Sequence, residues 1–165
     1  MTRNAARWPA ALTAALILIV ASLAADAAKG TATYKTKTKP VTVTFTHAYL
    51  MKGPQIGGPD KIRRLILSTA DVSAALKACQ SMMCSDGGIR EGMTVDFDAG
   101  PRLHYWFVAD GQKIQYSGTA ALTAAKLTTD LPTQVAGRLA IDDSGAGGPS
   151  VQVQFDATLL KELQK

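Results

Sequence analysis

The chain is poor in the residues and motifs on which most enzymes depend. It has only two histidines. His47 follows Phe45 on the apolar side of a strand-like stretch, where we expect a half-buried histidine, and His104 also lies in a strand-like stretch. No GxSxG sequence is present, and Ser144 lies in a turn-like segment. The glycine-rich stretch at 144–149 precedes neither a helix nor a Lys-Ser/Thr pair, so it has no phosphate-binding context.

The acidic residues favour solvation over catalysis. Asp96 and Asp98 alternate along a strand-like segment, and Asp142 and Asp143 are adjacent. Either pair has the composition of an acid–base pair, but alternating carboxylates on a strand usually face water. The turn at 142–145 lacks the pattern of a calcium-binding EF-hand. We therefore predict a protein with no catalytic residues and no cofactor.

The first 27 residues have the pattern of a secretory signal peptide. Arg3 and Arg7 precede an apolar run from Ala10 to Ala25, and Ala25-Asp26-Ala27 supplies the small residues that a signal peptidase reads. We predict cleavage before Ala28 and a periplasmic or secreted protein. The alternative is a retained anchor, but the run is near the short end of the roughly 17–25 residues that cross a bilayer. No cysteine follows the run, so lipid attachment has no acceptor.

The segment at 28–39 combines threonines with alternating lysines. Removal of the signal peptide lowers the formal net charge from +5 to +4, and much of the excess lies in Lys29, Lys35, Lys37 and Lys39. Such a run is typical of a solvated arm or of a charged edge strand that discourages aggregation. Contact with an anionic surface or nucleic acid is the alternative, and nucleic acid is the less favoured partner.

From residue 40 onward the dominant pattern is period two, which a strand buried on one face requires. Strand signals occur at 41–46, 65–67, 93–98, 139–141 and 151–156. No internal repeat or second domain boundary is evident. We predict a single mainly β domain over 40–165, an antiparallel β-sandwich or partly closed barrel with one short helix at about 71–79.

Cys79 and Cys84 are the only cysteines, and an exported chain meets an oxidising environment, so we predict a disulfide. On an unbroken helix, residues five apart point about 140° away from each other. The predicted helix must therefore end near Cys79 and let the chain loop back. The CxxC spacing of thiol oxidoreductases is absent, which argues against a redox-active pair.

A different interpretation of this segment is a copper site. Cys79, Met82, Met83 and Cys84 place four sulfur side chains close together in the sequence, and soft ligands of this kind suit Cu(I). Neither histidine follows Cys84 closely, unlike in a blue-copper site, and methionines beside a helix end are usually core residues.

The stretch from Arg102 to Gly118 has the pattern of a β-hairpin. Asp110-Gly111 lies between two strand-like runs and predicts a two-residue type I′ turn, in which Phe107 faces Ile114. One face of the hairpin is then apolar and is expected in the core: Leu103, Tyr105, Phe107, Ile114 and Tyr116.

The other face of the hairpin is amphipathic and carries His104, Trp106, Val108, Lys113 and Gln115. It holds the only tryptophan that remains after cleavage before Ala28, so we predict a contact site for a partner. The alternatives are that the arm, the helix or another sheet covers Trp106, or that the register slips by one residue and exchanges the two faces.

Several short segments, taken in order, resemble a family of small exported bacterial β-domain proteins without established activity. They are His47-Ala48-Tyr49, Arg64 to Ser68 leading into a short helix, Gly137-Arg138-Leu139, and Phe155-Asp156-Ala157-Thr158. The resemblance spans most of the exported chain and implies a β domain, with no functional residue to carry over. The Cys79 to Cys84 loop departs from the family pattern, which has a plain helix and a polar turn there.

Two functions are consistent with these observations. The first is a non-catalytic exported module that binds a protein, glycan or lipid partner through the face around Trp106. The second is a thiol-redox or copper-handling protein that uses the segment from Cys79 to Cys84. Neither function requires a membrane span in the mature chain.

Overall fold

A computed structural model describes residues 26–58 and 60–164, most of which lie in strands. Residues 1–25, the greater part of the predicted signal peptide, are outside the described chain. The strands are β1 (Ala27–Lys35), β2 (Pro40–Pro54), β3 (Lys61–Ser68), β4 (Gly92–Phe97), β5 (Arg102–Ala109), β6 (Ile114–Ala121), β7 (Ala125–Leu131), β8 (Gln134–Asp142) and β9 (Ser150–Glu162), and the helices are α1 (Ser73–Ala78) and α2 (Cys84–Gly87).

The nine strands of the described chain form one sheet in the order β6-β5-β4-β3-β2-β1-β9-β8-β7. Neighbours in this order are antiparallel. The sheet curls into a half-barrel, so one side chain in two points into a shared interior. The prediction of a mainly β fold with partial barrel closure is confirmed, although two short helices are present in the described residues where one was expected.

The open side of the half-barrel lies between β6 and β7. Because neighbouring strands alternate in direction, these two edge strands run the same way, and the 3-10 turn Leu122–Ala124 leads from the end of β6 into the start of β7. Arg63 on β3 connects the two sides: it donates to Asp98 at 2.7 and 3.0 Å and to Asp130 on β7 at 2.6 Å. The half-barrel is therefore drawn together by side chains rather than by a ladder of backbone hydrogen bonds.

β1 lies in the middle of the sheet, between β2 and β9. The prediction of an arm or an edge strand at 28–39 is therefore wrong. Ala28 and Ala32 are buried on the inner side, whereas Lys29 and Lys35 are exposed on the outer side. Lys29, Thr31, Thr33 and Lys35 form the polar half of a strand whose small residues fit the interior, and Lys37 and Lys39 lie in the turn that joins β1 to β2.

The start of β1 marks a fork in the sheet. Beyond Ala27, β2 and β9 pair directly with each other in parallel. Asp26 lies at the fork, where its carboxylate accepts from the Thr158 N–H at 2.9 Å and from the Thr158 hydroxyl at 2.6 Å. Its carbonyl oxygen accepts from the Ala48 N–H at 3.2 Å. Cleavage before Ala28 would remove these contacts.

The interior is filled by the apolar faces that the period-two pattern predicts. Phe45, Phe107 and Phe155, from β2, β5 and β9, are among its largest fully buried side chains. His47 is half-buried, as expected, but not on the apolar face. It packs against the Tyr49 ring on the outer side at 6.2 Å between ring centres, because the alternation of β2 breaks between Phe45 and the buried Ala48.

The hairpin of β5 and β6 has the predicted faces but not the predicted register. Ala109 pairs with Ile114 and Phe107 pairs with Tyr116, a shift of two residues that keeps each side chain on its face. The turn is longer because Gln112 is held elsewhere. Its backbone N–H donates to the Arg90 carbonyl at 3.1 Å, and its side-chain amide donates to the Ile89 carbonyl at 2.5 Å.

The segment between β3 and β4 carries both helices and the disulfide. α1 ends at Ala78, and the backbone of Cys79 has left the helix with ψ of 139°. Cys79 and Cys84 form a disulfide with their Cα atoms 5.5 Å apart. The prediction that the helix ends near Cys79 so that the bond can close is confirmed.

We predict that Tyr49→Phe weakens a pH-dependent contribution of Asp71 to stability. The Tyr49 hydroxyl, 2.7 Å from Asp71, and the Ser73 N–H lower the pKa of that carboxyl from 3.8 to about 2. A carboxyl group whose pKa is lower in the folded state than in the unfolded state stabilises the fold at pH values above its unfolded-state pKa. This stabilisation is lost as the pH falls through its folded-state pKa. In urea unfolding, the free-energy gap between wild type and Y49F should therefore shrink as the pH falls from about 4 to about 2. A gap that stays constant over this range would contradict the prediction.

Candidate functional site

The convex face of the half-barrel divides into two parts. Over β2 to β5 it is covered by the segment that carries the helices and the disulfide, and a second apolar cluster lies between them. We call this the covered part. The other part, over β1, β8, β7 and the first half of β9 up to Ala157, has no helix above it in the described chain and is the bare part, whereas the last residues of β9 contact α1. The predicted contact site around Trp106 lies at the border of the covered part.

Arg64 fastens the covering segment to the sheet. This residue on β3 is only 4% exposed. Its Nε and Nη2 donate to the two carboxylate oxygens of Asp96 at 2.6 and 2.8 Å, and its Nη1 donates to Asp86 of α2 at 2.9 Å. Nη1 also donates to the Met82 carbonyl and the Ser85 hydroxyl, both at 3.1 Å. A buried charge is tolerated only when it is paired in this way.

Asp86 is the carboxylate of this network whose charged form is disfavoured by burial. Burial raises the pKa of its carboxyl, and the nearby Arg64 guanidinium acts in the opposite direction. The ion pair therefore keeps a carboxylate in a place where the protein would otherwise favour the protonated form.

The five residues predicted as a contact site differ in how far they are exposed to solvent. His104, Lys113 and Gln115 are exposed, Trp106 is half-buried against the second apolar cluster, and Val108 is fully buried in that cluster. The covering helix segment thus takes up part of the predicted face, and Val108 belongs to the core. Lys113 pairs with Asp110 in the turn at 3.6 Å. The structure keeps His104 and Trp106 together and leaves Lys113 at the end of the hairpin.

An open groove of about 210 Å³ adjoins the Trp106 side chain. Across the strands, Trp106 pairs with Thr94 on one side and with Ser117 on the other, and His104 pairs with Asp96. The groove is lined by Arg64, Asp86, Thr94, Asp96, His104, Tyr105, Trp106, Ser117 and Gly118. It combines one aromatic side chain with carboxylates and hydroxyls, on a floor fixed by the Arg64 network.

The sulfur-rich segment does not present a set of free ligands. Cys79 and Cys84 are bonded to each other, so neither offers a thiolate while the bond is intact. Met82 is 2% exposed in the second apolar cluster, whereas Met83 is 64% exposed. Within residues 26–58 and 60–164, no three His, Cys, Asp or Glu side chains are grouped as metal ligands.

The candidate acid–base pairs are also engaged in other contacts. Asp96 is bound by Arg64 and Asp98 by Arg63. Asp143 accepts from the Tyr105 hydroxyl, and burial together with this carboxylate raises the tyrosine pKa. The Ser144 hydroxyl and the Ser144 backbone N–H, which donates to Asp142 at 3.1 Å, together lower the Asp142 pKa. These carboxylates hold the fold together where the strands end.

Sequence reasoning missed Arg64 and Asp86 as part of the groove. The sequence feature that could have indicated Arg64 is the pair Arg63-Arg64, which directly precedes the apolar run at 65–67. An alternating strand that places an arginine on an otherwise covered face requires a buried acidic partner. The partners could not be named from the sequence because Asp86 and Asp96 lie far along the chain and meet Arg64 only after the sheet and the disulfide segment have formed.

Comparison of the chain with models of protein families, with curated proteins and with solved structures finds no match. The resemblance to small exported β-domain proteins therefore stays a prediction. Of the helices in the described residues, none has the length and apolar character needed to cross a bilayer.

We predict that Arg64→Met lowers the free energy of unfolding by about 3 kcal/mol, since it leaves two partly buried carboxylates unpaired. Arg63→Met is the matched control. Arg63 is itself 14% exposed and links β3 to β7, but its partners Asp98 and Asp130 are 44% and 58% exposed and stay solvated without it, so the loss should be smaller, about 1–2 kcal/mol. Denaturant unfolding of the two variants measures the difference. Equal losses would show that Arg64 does not have the special role described above.

Proposed function

We propose that this chain is a non-catalytic exported binding module and that the groove beside Trp106 is its ligand site. The observation that carries the proposal is a half-buried indole flanked on both neighbouring strands by hydroxyl side chains, above a floor held by the Arg64 network. Binding sites typically combine an apolar or aromatic surface with a few fixed polar groups. The groove has this composition on a rigid sheet.

A glycan is the partner that this chemistry favours among the protein, glycan and lipid alternatives. The Trp106 ring offers an apolar surface to a sugar face, and the exposed Ser117 and partly exposed Asp86 offer hydrogen-bonding groups to sugar hydroxyls, whereas Thr94 is buried beneath them. A lipid tail would require a larger apolar lining. The large apolar side chains exposed in the described chain lie elsewhere, at Ile56, Met83, Leu122 and Leu131.

The thiol-redox or copper-handling alternative has less support. Cu(I) ligation needs free thiolates, whereas Cys79 and Cys84 are bonded and Met82 is buried. A redox-active pair is disfavoured because the two cysteines lack the CxxC spacing of thiol oxidoreductases. The disulfide instead shapes the covering segment that bounds the groove.

Trp106→Ala should reduce glycan binding by at least about tenfold, because a central aromatic contact typically supplies more than 1 kcal/mol. The measurement is binding to an array of neutral and acidic oligosaccharides. Titration of the strongest hit, followed by tryptophan fluorescence, gives the affinity of the wild-type protein. Trp106 is the only tryptophan of the described residues, so its emission reports on the groove directly. Leu122→Ala, which truncates another apolar residue outside the groove, is the control and should bind normally.

Ser117→Arg tests the same groove without removing any core contact. Ser117 is exposed on β6 opposite Trp106, so the larger side chain fills the groove while the strand remains intact. We expect this variant to fold like wild type and to lose binding. Wild-type binding by a folded Ser117→Arg protein, or no array hit at all for the wild type, would refute the proposal.

Export has a separate test. When the full chain is expressed in a Gram-negative host and isolated from the periplasm, intact mass spectrometry should show removal of residues 1–27 and a mass consistent with no free thiols. If the purified protein retains Asp26, cleavage occurs before that residue and the contacts between Asp26 and Thr158 are kept. A protein found uncleaved in the cytoplasm would contradict export.

A further inference from the structure

The bare part of the convex face carries a row of cations that crosses four strands. Lys126 on β7 pairs with Arg138 on β8, Arg138 pairs with Gln154 on β9, and Gln154 pairs with Lys29 on β1. All four side chains lie on the outer side, where the three cations are exposed and Gln154 is partly exposed. Neighbouring strands lie about 4.8 Å apart, so the row is a compact line of positive charge.

The central cation of this row is held in place without being neutralised. When the Gln154 amide is oriented with its oxygen towards the guanidinium, Oε1 accepts from Arg138 Nε at 3.1 Å and from Arg138 Nη2 at 3.0 Å, and this orientation satisfies both side chains. A carboxylate in the same position would cancel the charge, whereas an amide fixes the guanidinium and leaves its charge available to a ligand. Among the described residues, no ion pair involves Lys29, Lys126 or Arg138.

The row borders a shallow depression of about 450 Å³ between β8, β9 and β1. Gly30 forms part of its lining. A Cβ atom at Gly30 would lie 2.1 Å from the Gln152 carbonyl oxygen, so the missing side chain lets β1 approach β9 closely. The depression has Lys29 and Arg138 on its rim, with the amides of Gln152 and Gln154 beside them.

Uncharged polar side chains continue this face beyond the depression. The next row pairs Gln152 with Thr31 and Thr31 with Thr44, and the row after it pairs Thr33 with Thr42. Two carboxylates also lie on this face and keep their negative charge: Asp156 accepts from the neutral Gln134 amide at 2.8 Å, and Asp142 accepts from the Ser144 N–H. The row of three cations is the concentrated charge on this face, and many hydroxyl and amide groups lie beside it.

We infer that the bare part binds an acidic polysaccharide, with its carboxylates against Lys29, Arg138 and Lys126 and its hydroxyls against the threonines and glutamines. This site is separate from the groove beside Trp106 and does not depend on it. Charge complementarity selects an anion, and the width of the polar rows suits a chain of linked sugars better than an isolated ion.

Two other anionic partners fit the face less well. Single-stranded nucleic acid is usually held by aromatic side chains on which bases stack, and no aromatic side chain belongs to these rows. A membrane surface is usually bound by apolar residues that insert beside the cations, and the described rows contain lysine, arginine, threonine and glutamine instead.

The test uses the exported protein and polygalacturonate, with neutral dextran as the negative control. We expect saturable binding to polygalacturonate that weakens as salt is added, and no binding to dextran. The triple variant Lys29→Gln, Lys126→Gln, Arg138→Gln should lose about tenfold or more in affinity, since several exposed charge contacts are removed together. The matched control Lys61→Gln, Lys77→Gln, Lys113→Gln removes the same charge from exposed positions outside the bare part and should bind as wild type does.

Gln154→Leu distinguishes an organised site from general attraction to positive charge. It leaves the net charge unchanged and removes the group that orients the Arg138 guanidinium, so we expect a loss of roughly threefold to tenfold. Ser117→Arg, which fills the groove, should leave polygalacturonate binding intact.

Three results would overturn the inference. Equal affinities for the two triple variants would mean that the row is not the site. Unchanged binding by Gln154→Leu would show that affinity depends on net charge and not on the orientation of the Arg138 guanidinium. Tighter binding to vesicles containing phosphatidylglycerol, or to oligothymidylate, than to polygalacturonate would assign the face to a membrane or to nucleic acid instead.

Discussion

The curl of one continuous sheet is the constraint on which the rest of this structure depends. Because the nine strands share a single concave interior, that side is filled by their own side chains, and everything else must attach to the convex side. The disulfide segment covers one part of the convex side by means of a second apolar cluster and the buried Arg64. The bare part of the convex side faces water, and its polar side chains do not pack against another layer of the protein.

The fold was predictable from the sequence to the extent that it depends on alternation along single strands. The strands at 41–46, 93–98 and 151–156 and both faces of the hairpin follow from this pattern. Features that depend on contacts between distant segments were not predictable. The hairpin register was wrong because Gln112 bonds to Ile89 and Arg90, and 28–39 was misplaced because only pairing with β9 puts β1 in the centre.

The candidate sites likewise divide into features that a single stretch of sequence reveals and features that depend on contacts between distant segments. Trp106 was found because a lone tryptophan on a polar face is visible in the sequence, whereas the burial of Val108 followed from a helix segment whose position was unknown. The row from Lys126 to Lys29 combines three strand registers, and none of its members is unusual in its own stretch of sequence. Sites that are assembled from several strands require the pairing to be known first.

The central position of β1 has a consequence for how the protein reaches its folded state. β1 is the first described strand, and one of its two neighbours, β9, is the last. Its second edge cannot be paired until the chain beyond Ser150 is available, so the middle of the sheet is completed only after the β9 segment has been synthesised. Such long-range pairing makes folding slow and leaves an unpaired edge in partly made chains. A chaperone that shields that edge, or translocation that delays folding, would protect this protein at its most vulnerable stage.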